Sequence, residues 1–342
     1  MASTTRAWQV FQNDTSKNIK TACPPNLVLN EIPVSTPGQN EVLVRMHAVG
    51  INFRDAMVVS GAYPLPTTPG LVCCCDGAGE VISVGPNSIW AVGDHIILNQ
   101  SPDWKGGDNE GWRWNNILGA GVVQGSLTQY KVLSDDSLVR KPKNLSWVEA
   151  ASLSCAGGTA MNTLDSIPAI KEGTTVLTQG TGGFAAAMGA TVIATSSSDA
   201  KLQEAKKLGA SHLINYKTHP DWHTEVNRLT NGRGVDLVAD MGGASTIEQS
   251  IACIRQGGTA ALVGFLGEQK DSNIVYKVVE KAITLRGILA MSQQNIVDMV
   301  ELIEKKDLHP PIGEVFEFED APSAFAKFVK QDLVGKIVIK VD

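Results

Sequence analysis

A glycine-rich turn at residues 180–185 carries the clearest chemical signal in the sequence. The segment Gly180-Thr-Gly182-Gly183-Phe-Ala185 follows an apolar run, Thr175-Val-Leu-Thr-Gln, and fits the pattern G-x-G-x-x-A. The first glycine permits a tight bend, the second lets the backbone approach a pyrophosphate, and the small alanine lets a helix pack closely on the strand. The start of that helix would face the phosphates. These residues predict a dinucleotide site, with an ordinary glycine loop as the alternative.

The end of the next predicted strand indicates which dinucleotide is bound. An acidic group normally stands there and binds the ribose hydroxyls of NAD. Here Thr191-Val-Ile-Ala-Thr continues into Ser196, Ser197 and Ser198, and Lys201 follows in the next turn. Three hydroxyls and an ammonium can bind a 2′-phosphate, so we predict NADP rather than NAD. The alternative is that Lys201 is an ordinary solvated helix residue.

Two patterns of hydrophobic residues follow each other along the chain. From Trp8 to about Val139, short β-rich runs are separated by glycine and proline turns, which predicts a barrel-like β domain. From about Gly173, strands alternate with helices, which predicts a parallel doubly wound sheet. One of these helices should cover residues 199–208 with Asp199 as its N-cap. The predicted fold is therefore α/β, a Rossmann sheet plus a β-rich domain.

The segment 103–121 is predicted to be a long loop. It carries Trp104, Trp112 and Trp114 among several glycines. These aromatic side chains either cover a ligand or pack the loop against the protein, and the sequence favours neither.

Composition restricts the class of protein. The chain has 342 residues and a net charge of −6, with 29 Lys and Arg against 35 Asp and Glu. At roughly 150 residues per domain this length predicts two domains, and the acidity argues against a nucleic-acid partner. No apolar run reaches the roughly 18 residues of a membrane span, and the first residues lack the apolar core of a signal peptide. The six cysteines fit reduced thiols better than a disulfide framework, so we expect a cytoplasmic protein.

Seven segments together resemble one family along the whole chain. They are Gly50-Ile-Asn-Phe-Arg-Asp55, Asp76-Gly-Ala-Gly-Glu-Val81, Val92-Gly-Asp94, Gly157-Gly-Thr-Ala160, Thr178-Gln-Gly-Thr-Gly-Gly183, Gly234-Val-Asp-Leu-Val238 and Leu262-Val-Gly264. With them the chain resembles the medium-chain dehydrogenase/reductase superfamily. It is most similar to the zinc-independent quinone-oxidoreductase-like or fungal zinc-type alcohol dehydrogenase-like branch.

The resemblance implies a domain organisation and a reaction. A GroES-like catalytic domain of residues 1–150, completed by 290–342, would surround a Rossmann NADP-binding domain of residues 151–289. The active site would lie in the cleft between them. Hydride would move between the nicotinamide of NADP(H) and a carbonyl, alcohol, quinone or activated C=C substrate.

The resemblance and the turn together give a set of cofactor-binding residues. Ser196 and Lys201 would contact the 2′-phosphate, Tyr216 would pack near the adenosine, and Gly264 and Phe265 would pass near the nicotinamide. The complete expected set is Thr159, Gly180, Thr181, Gly182, Gly183, Ser196, Lys201, Tyr216, Gly264 and Phe265.

Zinc-dependent members of this family hold the metal with a Cys, a His and a later Cys. Here those three positions are Asn52, Cys75 and Cys155, and Asp76 is adjacent. A tetrahedral zinc needs three or four protein ligands, and an asparagine is a poor one. We therefore expect no catalytic zinc and two small buried thiols, with a zinc site and a Cys75–Cys155 redox pair as alternatives.

Without a metal, other groups must polarise the substrate oxygen and supply a proton. Asn52 can donate through its amide, or it bonds only to local backbone or the cofactor ribose. Tyr63 resembles the tyrosine at the edge of the pocket in quinone reductases, where it donates a proton or only forms a wall. Arg54 and Asp55 are predicted to form a structural ion pair, and His47 to be packed on its strand. In this branch bulk solvent can protonate the product.

The first crossover of the predicted sheet is shorter than the family pattern. Only residues 180–190 lie between the first two strands, whereas parallel strands usually need a dozen residues or more. We expect a helix of less than two turns, a weakened pyrophosphate site and an apolar sheet face that is partly uncovered.

Three functions compete on these grounds. The leading one is an NADPH-dependent oxidoreductase without catalytic zinc. The alternatives are a zinc-dependent alcohol dehydrogenase, or a cofactor-deficient form that acts as a non-catalytic binding protein. Relatives are often homodimers that pair strands across the Rossmann sheet edge, so we expect a homodimer through residues 259–266 or 283–287. The expected partner is otherwise a small-molecule substrate.

Overall fold

A computed structural model describes residues 3–12, 16–180, 182–264 and 273–342. These ranges contain sixteen strands and eleven α-helices. The strands are β1 (Thr4–Val10), β2 (Leu27–Pro33), β3 (Glu41–Gly50), β4 (Leu71–Val72), β5 (Ala78–Val84), β6 (His95–Leu98), β7 (Tyr130–Ser134), β8 (Leu138–Arg140), β9 (Thr175–Thr178), β10 (Thr191–Ser196), β11 (His212–Asn215), β12 (Val235–Asp240), β13 (Ile254–Leu262), β14 (Thr284–Gly287), β15 (Ile312–Glu317) and β16 (Lys336–Lys340). The helices are α1 (Ile19–Asn26), α2 (Phe53–Ser60), α3 (Trp147–Ala150), α4 (Ser154–Leu164), α5 (Gly183–Ala187), α6 (Asp199–Lys207), α7 (Trp222–Leu229), α8 (Ile247–Cys253), α9 (Val275–Glu280), α10 (Gln293–Lys306) and α11 (Ala321–Phe328).

The chain divides into two compact units. The first contains residues 1–158 together with 291–342, and the second contains residues 159–290. The helix α4 carries the chain from the first unit into the second. Among the described helices, none has the length and apolar character that crossing a membrane requires.

The first unit is rich in β-strands, as the sequence predicts. Its larger sheet has the order β15-β16-β3-β5-β6-β8, and β7 also pairs with β3. The strands β15 and β16 are parallel, whereas β16 and β3 run antiparallel. Val44 and Met46 of β3 are fully buried and pack in one core with Leu98 and Phe325. Since β15 and β16 come after residue 290, segments on both sides of the second unit build this sheet.

The second unit has a six-stranded sheet in the order β11-β10-β9-β12-β13-β14, and all neighbouring pairs are parallel. Successive residues of a strand face opposite sides. Val176 and Val192 accordingly pack in one core, and Leu177 and Ile193 pack in another on the opposite face. Because both faces are covered, the strands read as continuous apolar runs. This is the doubly wound Rossmann order, so the predicted fold class is confirmed.

A buried carboxylate joins the amino ends of three strands in this sheet. Asp236 accepts hydrogen bonds from Arg233 Nη2 at 2.7 Å, Arg255 Nε at 2.5 Å and the Thr175 backbone N at 2.9 Å. Burial alone would raise the pKa of Asp236, but these donors lower it from 3.8 to about 2.

Replacing Asp236 with asparagine is expected to lower the free energy of unfolding by about 2 kcal/mol at neutral pH. The folded state lowers this pKa, so the stabilisation is present above pH 3.8 and is lost as the pH falls toward 2. Urea unfolding of both proteins at several pH values measures the difference. A destabilisation that is the same at pH 7 and pH 3 would contradict this explanation.

The first crossover is short, as predicted, and it still connects neighbouring parallel strands. Its helix α5 has five residues, and β9 and β10 pair from Thr175↔Thr191 to Thr178↔Ala194. A strand of four residues spans only about 10 Å. A helix of five residues at about 1.5 Å each, followed by a turn through Gly189, is long enough to return along it.

The expectation that this crossover leaves the sheet uncovered is wrong for the described residues. Val176, Val192 and Leu237 are fully buried. The cover on this face includes the side chains of Leu164, Ile167, Ile170, Phe184 and Met188. Helix α5 also lies very close to the end of α6, since a Cβ at Gly209 would come within 2.8 Å of Ala186 Cβ.

Two local predictions are corrected. The N-cap of α6 is Ser198, not Asp199, because Asp199 is already helical and its carboxylate accepts from Asn215 Nδ2 at 2.7 Å. Residues 259–262 cannot form a sheet edge, since β13 pairs with β12 on one side and with β14 on the other. The edge strand on this side of the sheet is β14.

Candidate active site and cofactor site

Asp76 is the centre of a buried polar cluster in the first unit. It follows β4, is fully buried, and has two occupied oxygens. Asn52 Nδ2 donates to Asp76 Oδ2 at 2.9 Å, and the backbone N of Cys155, in the first turn of α4, donates to Asp76 Oδ1 at 2.7 Å. One carboxylate therefore fixes the start of α4 relative to the residue that precedes α2.

Lys336 brings a positive charge to this cluster. Its Nζ donates to Asn52 Oδ1 and lies 3.7 Å from Asp76 Oδ2. The antiparallel register explains the contact, because β16 pairs Val338 with Gly50 and Ile51 N donates to Ile337 O at 3.0 Å. Continuing this pairing from Val338 and Gly50 by two residues places Lys336 opposite Asn52. The sequence analysis missed Lys336, and the signal that it offered was only a Gly-Lys pair before an apolar strand.

The structure defines what Asn52 does. Its amide nitrogen donates to Asp76 and lies 3.8 Å from Cys75 Sγ, while its amide oxygen accepts from Lys336. Its backbone N donates to Asp55 Oδ2 at 2.8 Å. Asn52 thus links the members of the cluster to one another.

Arg54 and Asp55 extend the cluster toward Tyr63. Arg54 Nη1 lies 3.5 Å from Asp55 Oδ1 and donates to Leu118 O at 3.0 Å. The Arg54 guanidinium also lies over the Tyr63 ring, 5.4 Å from its centroid. Burial raises the pKa of Tyr63, although Arg54 opposes the shift. Tyr63 is thus half-buried beside the Arg54 guanidinium.

The pH dependence of stability should report on Asp55. Burial raises the pKa of this fully buried carboxyl from 3.8 to about 6, although the charge of Arg54 lowers it. The folded protein then keeps a proton that the unfolded chain has released, so the stabilisation is greatest below pH 3.8 and is lost as the pH rises through about 6. We expect the free energy of unfolding of Asp55→Asn, relative to that of the wild type, to increase by about 2–3 kcal/mol as the pH rises from 4 to 7. Chemical unfolding of both proteins across this range measures it, and a constant difference would contradict it.

The donor set at the family's zinc position does not fit a tetrahedral zinc. Burial raises the pKa of the Cys75 thiol, and its hydrogen bond with the Cys155 thiol raises it further, whereas zinc binds thiolates. The oxygens of Asn52 and Asp76 already face the Lys336 ammonium, which would repel a metal cation. The described residues contain no group of three His, Cys, Asp or Glu side chains arranged for a metal.

The predicted cofactor residues lie along one edge of the parallel sheet in the second unit. Gly180, Gly182 and Gly183 follow β9, Ser196 ends β10, Tyr216 follows β11 and Gly264 follows β13. This is the carboxyl edge, and the strand order reverses between β9 and β12, which is where ligands bind in such sheets. Lys201 lies in the first turn of α6, Thr159 lies in α4, and Thr181 and Phe265 lie outside the described residues.

The glycine turn contains one open position and one crowded position. A Cβ at Gly180 would meet no described atom within 4 Å, so the backbone there is open to a ligand. Gly182 has φ +68°, and a Cβ there would lie 2.6 Å from Val192 Cγ1. One glycine is therefore required by packing, and the other leaves an open approach to the backbone.

Two residues that the sequence analysis did not select shape this edge. Gln179 Oε1 accepts from the backbone N of Met241 at 2.8 Å and of Gly242 at 2.9 Å, which joins the end of β9 to the loop after β12. Asp240 is fully buried and accepts from Gly243 N, Thr246 Oγ1 and Ser250 Oγ. Gln179 directly precedes the glycine motif, and Asp240 ends an apolar strand, so position alone was the available signal.

Two other expectations concern aromatic residues of the first unit. Trp104 is 1% exposed, and its ring contacts that of Trp112 edge to face, with 6.3 Å between the centroids. These two residues therefore pack the long loop against the protein, while Trp114 remains 46% exposed. His47 is buried and stacks on Trp147 at 4.3 Å, as expected for a packed histidine.

Comparison with known proteins establishes the family. A profile described as "Alcohol dehydrogenase GroES-like domain" matches residues 38–143, and one described as "Zinc-binding dehydrogenase" matches residues 177–305. A zinc-type alcohol dehydrogenase-like protein of Schizosaccharomyces pombe is 38% identical over 327 residues, which are 91% of this chain and 94% of that protein. The chain belongs to the medium-chain dehydrogenase/reductase superfamily and is an oxidoreductase of that family with a nicotinamide-cofactor fold.

Two further similarities concern the chemistry of relatives. A 2-haloacrylate reductase of a Burkholderia species is 29% identical over 343 residues, covering 92% of this chain and 95% of that protein. The crystal structure of an NAD-dependent alcohol dehydrogenase has a TM-score of 0.84 and 30% identity, covering 98% of this chain and 100% of the other. The profile whose description mentions zinc binding matches none of Asn52, Cys75 and Cys155.

Proposed function

We propose that the protein is an NADP(H)-dependent oxidoreductase that needs no catalytic zinc. It transfers a hydride between the nicotinamide and a carbonyl, alcohol, quinone or activated C=C substrate. The observation that carries the proposal is the Lys336 ammonium, which contacts Asn52 Oδ1 and Asp76 Oδ2 at the position where zinc-dependent relatives hold their metal. A cation is therefore built into the site by the chain itself.

The preference for NADP(H) rests on the end of β10. Ser196, Ser197 and Ser198 are partly exposed there, and the nearest carboxylate, Asp199, is engaged with Asn215. Hydroxyl groups at this position can donate hydrogen bonds to a 2′-phosphate, whereas a carboxylate would repel it. Thr159, Thr181, Tyr216, Gly264 and Phe265 complete the proposed cofactor contacts together with the glycine turn and Lys201.

The dinucleotide would supply the hydride, and the chain would supply its position. Gly180 leaves the backbone open to the pyrophosphate, and Gln179 holds the loops at the switch point in place. The relative that reduces 2-haloacrylates supports a conjugated carbonyl compound as one class of substrate. The NAD-dependent relative supports the competing assignment, an NAD-linked alcohol dehydrogenase.

We also propose a homodimer and a cytoplasmic location. Among the described strands β14 pairs with β13 alone, and helix α9, which precedes it in the chain, exposes Val275, Tyr276 and Val279 by 70%, 71% and 73%. A second copy paired along β14 would cover these side chains. All six cysteines are free thiols, five of them buried, which suits a reducing compartment.

Calorimetric titration with NADPH and with NADH tests the cofactor assignment. We expect micromolar binding of NADPH and at least about tenfold weaker binding of NADH, since a 2′-phosphate gains charge-assisted hydrogen bonds. Ser196→Asp should reverse the preference, and Ser211→Asp, on the strand-entry side of β11, is the matched control. Tighter binding of NADH by the wild type would favour the NAD-linked assignment.

Activity measurements on metal-free protein test the proposed hydride transfer without catalytic zinc. A panel of aldehydes, quinones, enals and 2-haloacrylates is assayed after exhaustive chelation, with metal analysis of the same sample. Turnover by metal-free protein supports the proposal. Zinc at one equivalent per chain, with activity lost on its removal, would favour a zinc alcohol dehydrogenase, and binding without turnover would favour a non-catalytic protein.

A further inference from the structure

Of the three residues Asn52, Asp76 and Lys336, Lys336 is the one that retains a hydrogen for a ligand. Asn52 is committed through both ends of its amide, and Asp76 can only accept. An ammonium carries three N–H groups. Asn52 Oδ1 and Asp76 Oδ2 are the two described side-chain oxygens near Nζ, so a third hydrogen is available for an oxygen outside the cluster.

The exposed fractions of the side chains in the cluster also favour Lys336 as the residue that meets a ligand. The Lys336 side chain is 19% exposed, whereas that of Asp76 is fully buried. Cys155 is partly exposed and Cys75 is fully buried. Lys336 and Cys155 therefore have exposed surface, and Asp76 has none.

The backbone around Lys336 is fixed. Gly335 has φ +89°, and a Cβ there would come within 2.5 Å of Pro311 O. Lys336 N donates to Pro311 O at 3.0 Å, and Ile51 N donates to Ile337 O at 3.0 Å. The lysine stem thus starts from a rigid strand, and its ammonium is held by Asn52 and Asp76 before any ligand binds. Such preorganised charge is what stabilises a developing oxyanion.

We propose that Lys336 is a catalytic residue whose ammonium binds the substrate carbonyl oxygen and donates the proton, with Asn52 and Asp76 as its positioning residues. This inference rests on the proposed function. As a hydride from the reduced nicotinamide adds to the carbonyl carbon, the π electron pair moves to the oxygen. An N–H proton of Lys336 then passes to that oxygen, which leaves a neutral amine and an oxidised cofactor. Water returns the proton to the amine.

The inference narrows the substrate class. The compound must carry an oxygen on which negative charge develops, as in an aldehyde, a ketone, a quinone or a C=C conjugated to a carbonyl. In the conjugated case the hydride adds at the β-carbon, Lys336 holds the enolate oxygen, and water supplies the proton that the α-carbon takes up as the carbonyl re-forms. An alkene without a conjugated carbonyl should not be reduced.

The test uses Lys336→Arg, Lys336→Met and the matched control Lys340→Met, at the exposed end of the same strand. Arginine keeps the charge but cannot release a proton near neutral pH. We expect Lys336→Arg to unfold at the wild-type temperature and to lose about 100-fold in kcat with little change in KM, as for a lost general acid. Lys336→Met should lose at least as much in kcat and should also raise KM. Lys340→Met should behave as the wild type.

A spectroscopic measurement tests contact without turnover. In protein labelled with ζ-15N lysine, the resonance missing from Lys336→Arg is assigned to Lys336. The probe is the panel carbonyl compound with the highest turnover, added together with NADP+, so that no hydride is available. We expect the Lys336 resonance to shift on binding and the Lys340 resonance to stay in place.

The outcomes separate the two levels of the argument. If the wild type turns over nothing in the panel, the proposed function fails and this inference fails with it. If the wild type is active and Lys336→Arg keeps full kcat, Lys336 only neutralises Asp76 and the inference alone is overturned. An unshifted Lys336 resonance at saturating probe overturns it as well, whether or not Lys336→Met folds.

Discussion

Replacing Gly182 with alanine is expected to raise the Kd for NADPH by about 100-fold and to lower the melting temperature. Gly182 has φ +68°, where a side chain costs about 1–2 kcal/mol. The new Cβ would also lie 2.6 Å from Val192 Cγ1 and 3.0 Å from Thr178 Oγ1, so the turn must move away from β9 and β10. Displacing the turn moves the backbone groups that would face the pyrophosphate. Calorimetric titration and thermal unfolding of the same preparation measure both effects.

Two neighbouring glycines provide the controls. Gly180→Ala places a methyl group in open space, so it should weaken NADPH binding by blocking the approach of the pyrophosphate and leave the melting temperature unchanged. Gly189→Ala has φ +99° but also open space, so it should lower stability modestly and leave binding unchanged. Equal effects of all three variants on NADPH binding would show that the turn is not where the pyrophosphate lies.

Replacing Asp76 with alanine is expected to lower the free energy of unfolding by about 3–5 kcal/mol, the usual effect of breaking a buried charged pair. The substitution leaves Asn52 Nδ2 and Cys155 N without their acceptor and removes the counter-charge of Lys336. We also expect turnover to fall by at least about 100-fold, because the ammonium loses one of the two oxygens that hold it. Chemical unfolding and steady-state kinetics measure the two effects.

Asp135→Ala separates general destabilisation from an effect on the site. Asp135 is another buried carboxylate of the first unit and accepts from Ser88 Oγ at 2.7 Å and from Ile89 N at 2.9 Å. Its loss should destabilise the protein by a comparable amount and leave kcat unchanged. If both aspartate variants reduce kcat equally, the effect of Asp76 reflects stability alone.

The sheet of the second unit could be predicted from the sequence because its signals are local. A parallel strand covered on both faces reads as a short apolar run, and the run predicted from Thr191 is observed as β10, Thr191–Ser196. The glycine turn is also local, since its spacing and its place after an apolar run predict that a strand ends and a helix begins. Neighbouring residues carried all of this information.

The polar cluster could not be predicted because its contacts are distant in sequence. Asn52 and Lys336 are 284 residues apart, and the register of β16 against β3 brings them together. Lysine at the start of a strand usually points into solvent, so its type gave no reason to select it. The family position of Asn52 suggested a donor, but only the positions of Asp76 and Lys336 show that its amide is already engaged.

The prediction that the short crossover leaves the sheet partly uncovered failed for a related reason. The length rule considers one strand and one helix, whereas the sheet face is also covered by Leu164, Ile167 and Ile170 from before β9. The sequence does not show that these residues pack there. The shortness of β9 was visible, and it is what makes a helix of five residues sufficient.

The division of the first unit into two chain segments sets an order of assembly during synthesis. The second unit is one continuous stretch, 159–290, so it is complete and can fold while residues 291–342 are still being made. The first unit lacks β15 and β16 until residues 312–340 have been made, and until then the Ala48–Gly50 end of β3 lacks the strand that pairs with it. A ribosome stalled before residue 336 therefore displays a finished dinucleotide fold beside an incomplete sheet that lacks the ammonium of its polar cluster. Nascent chains of increasing length should become protease-resistant in the second unit first.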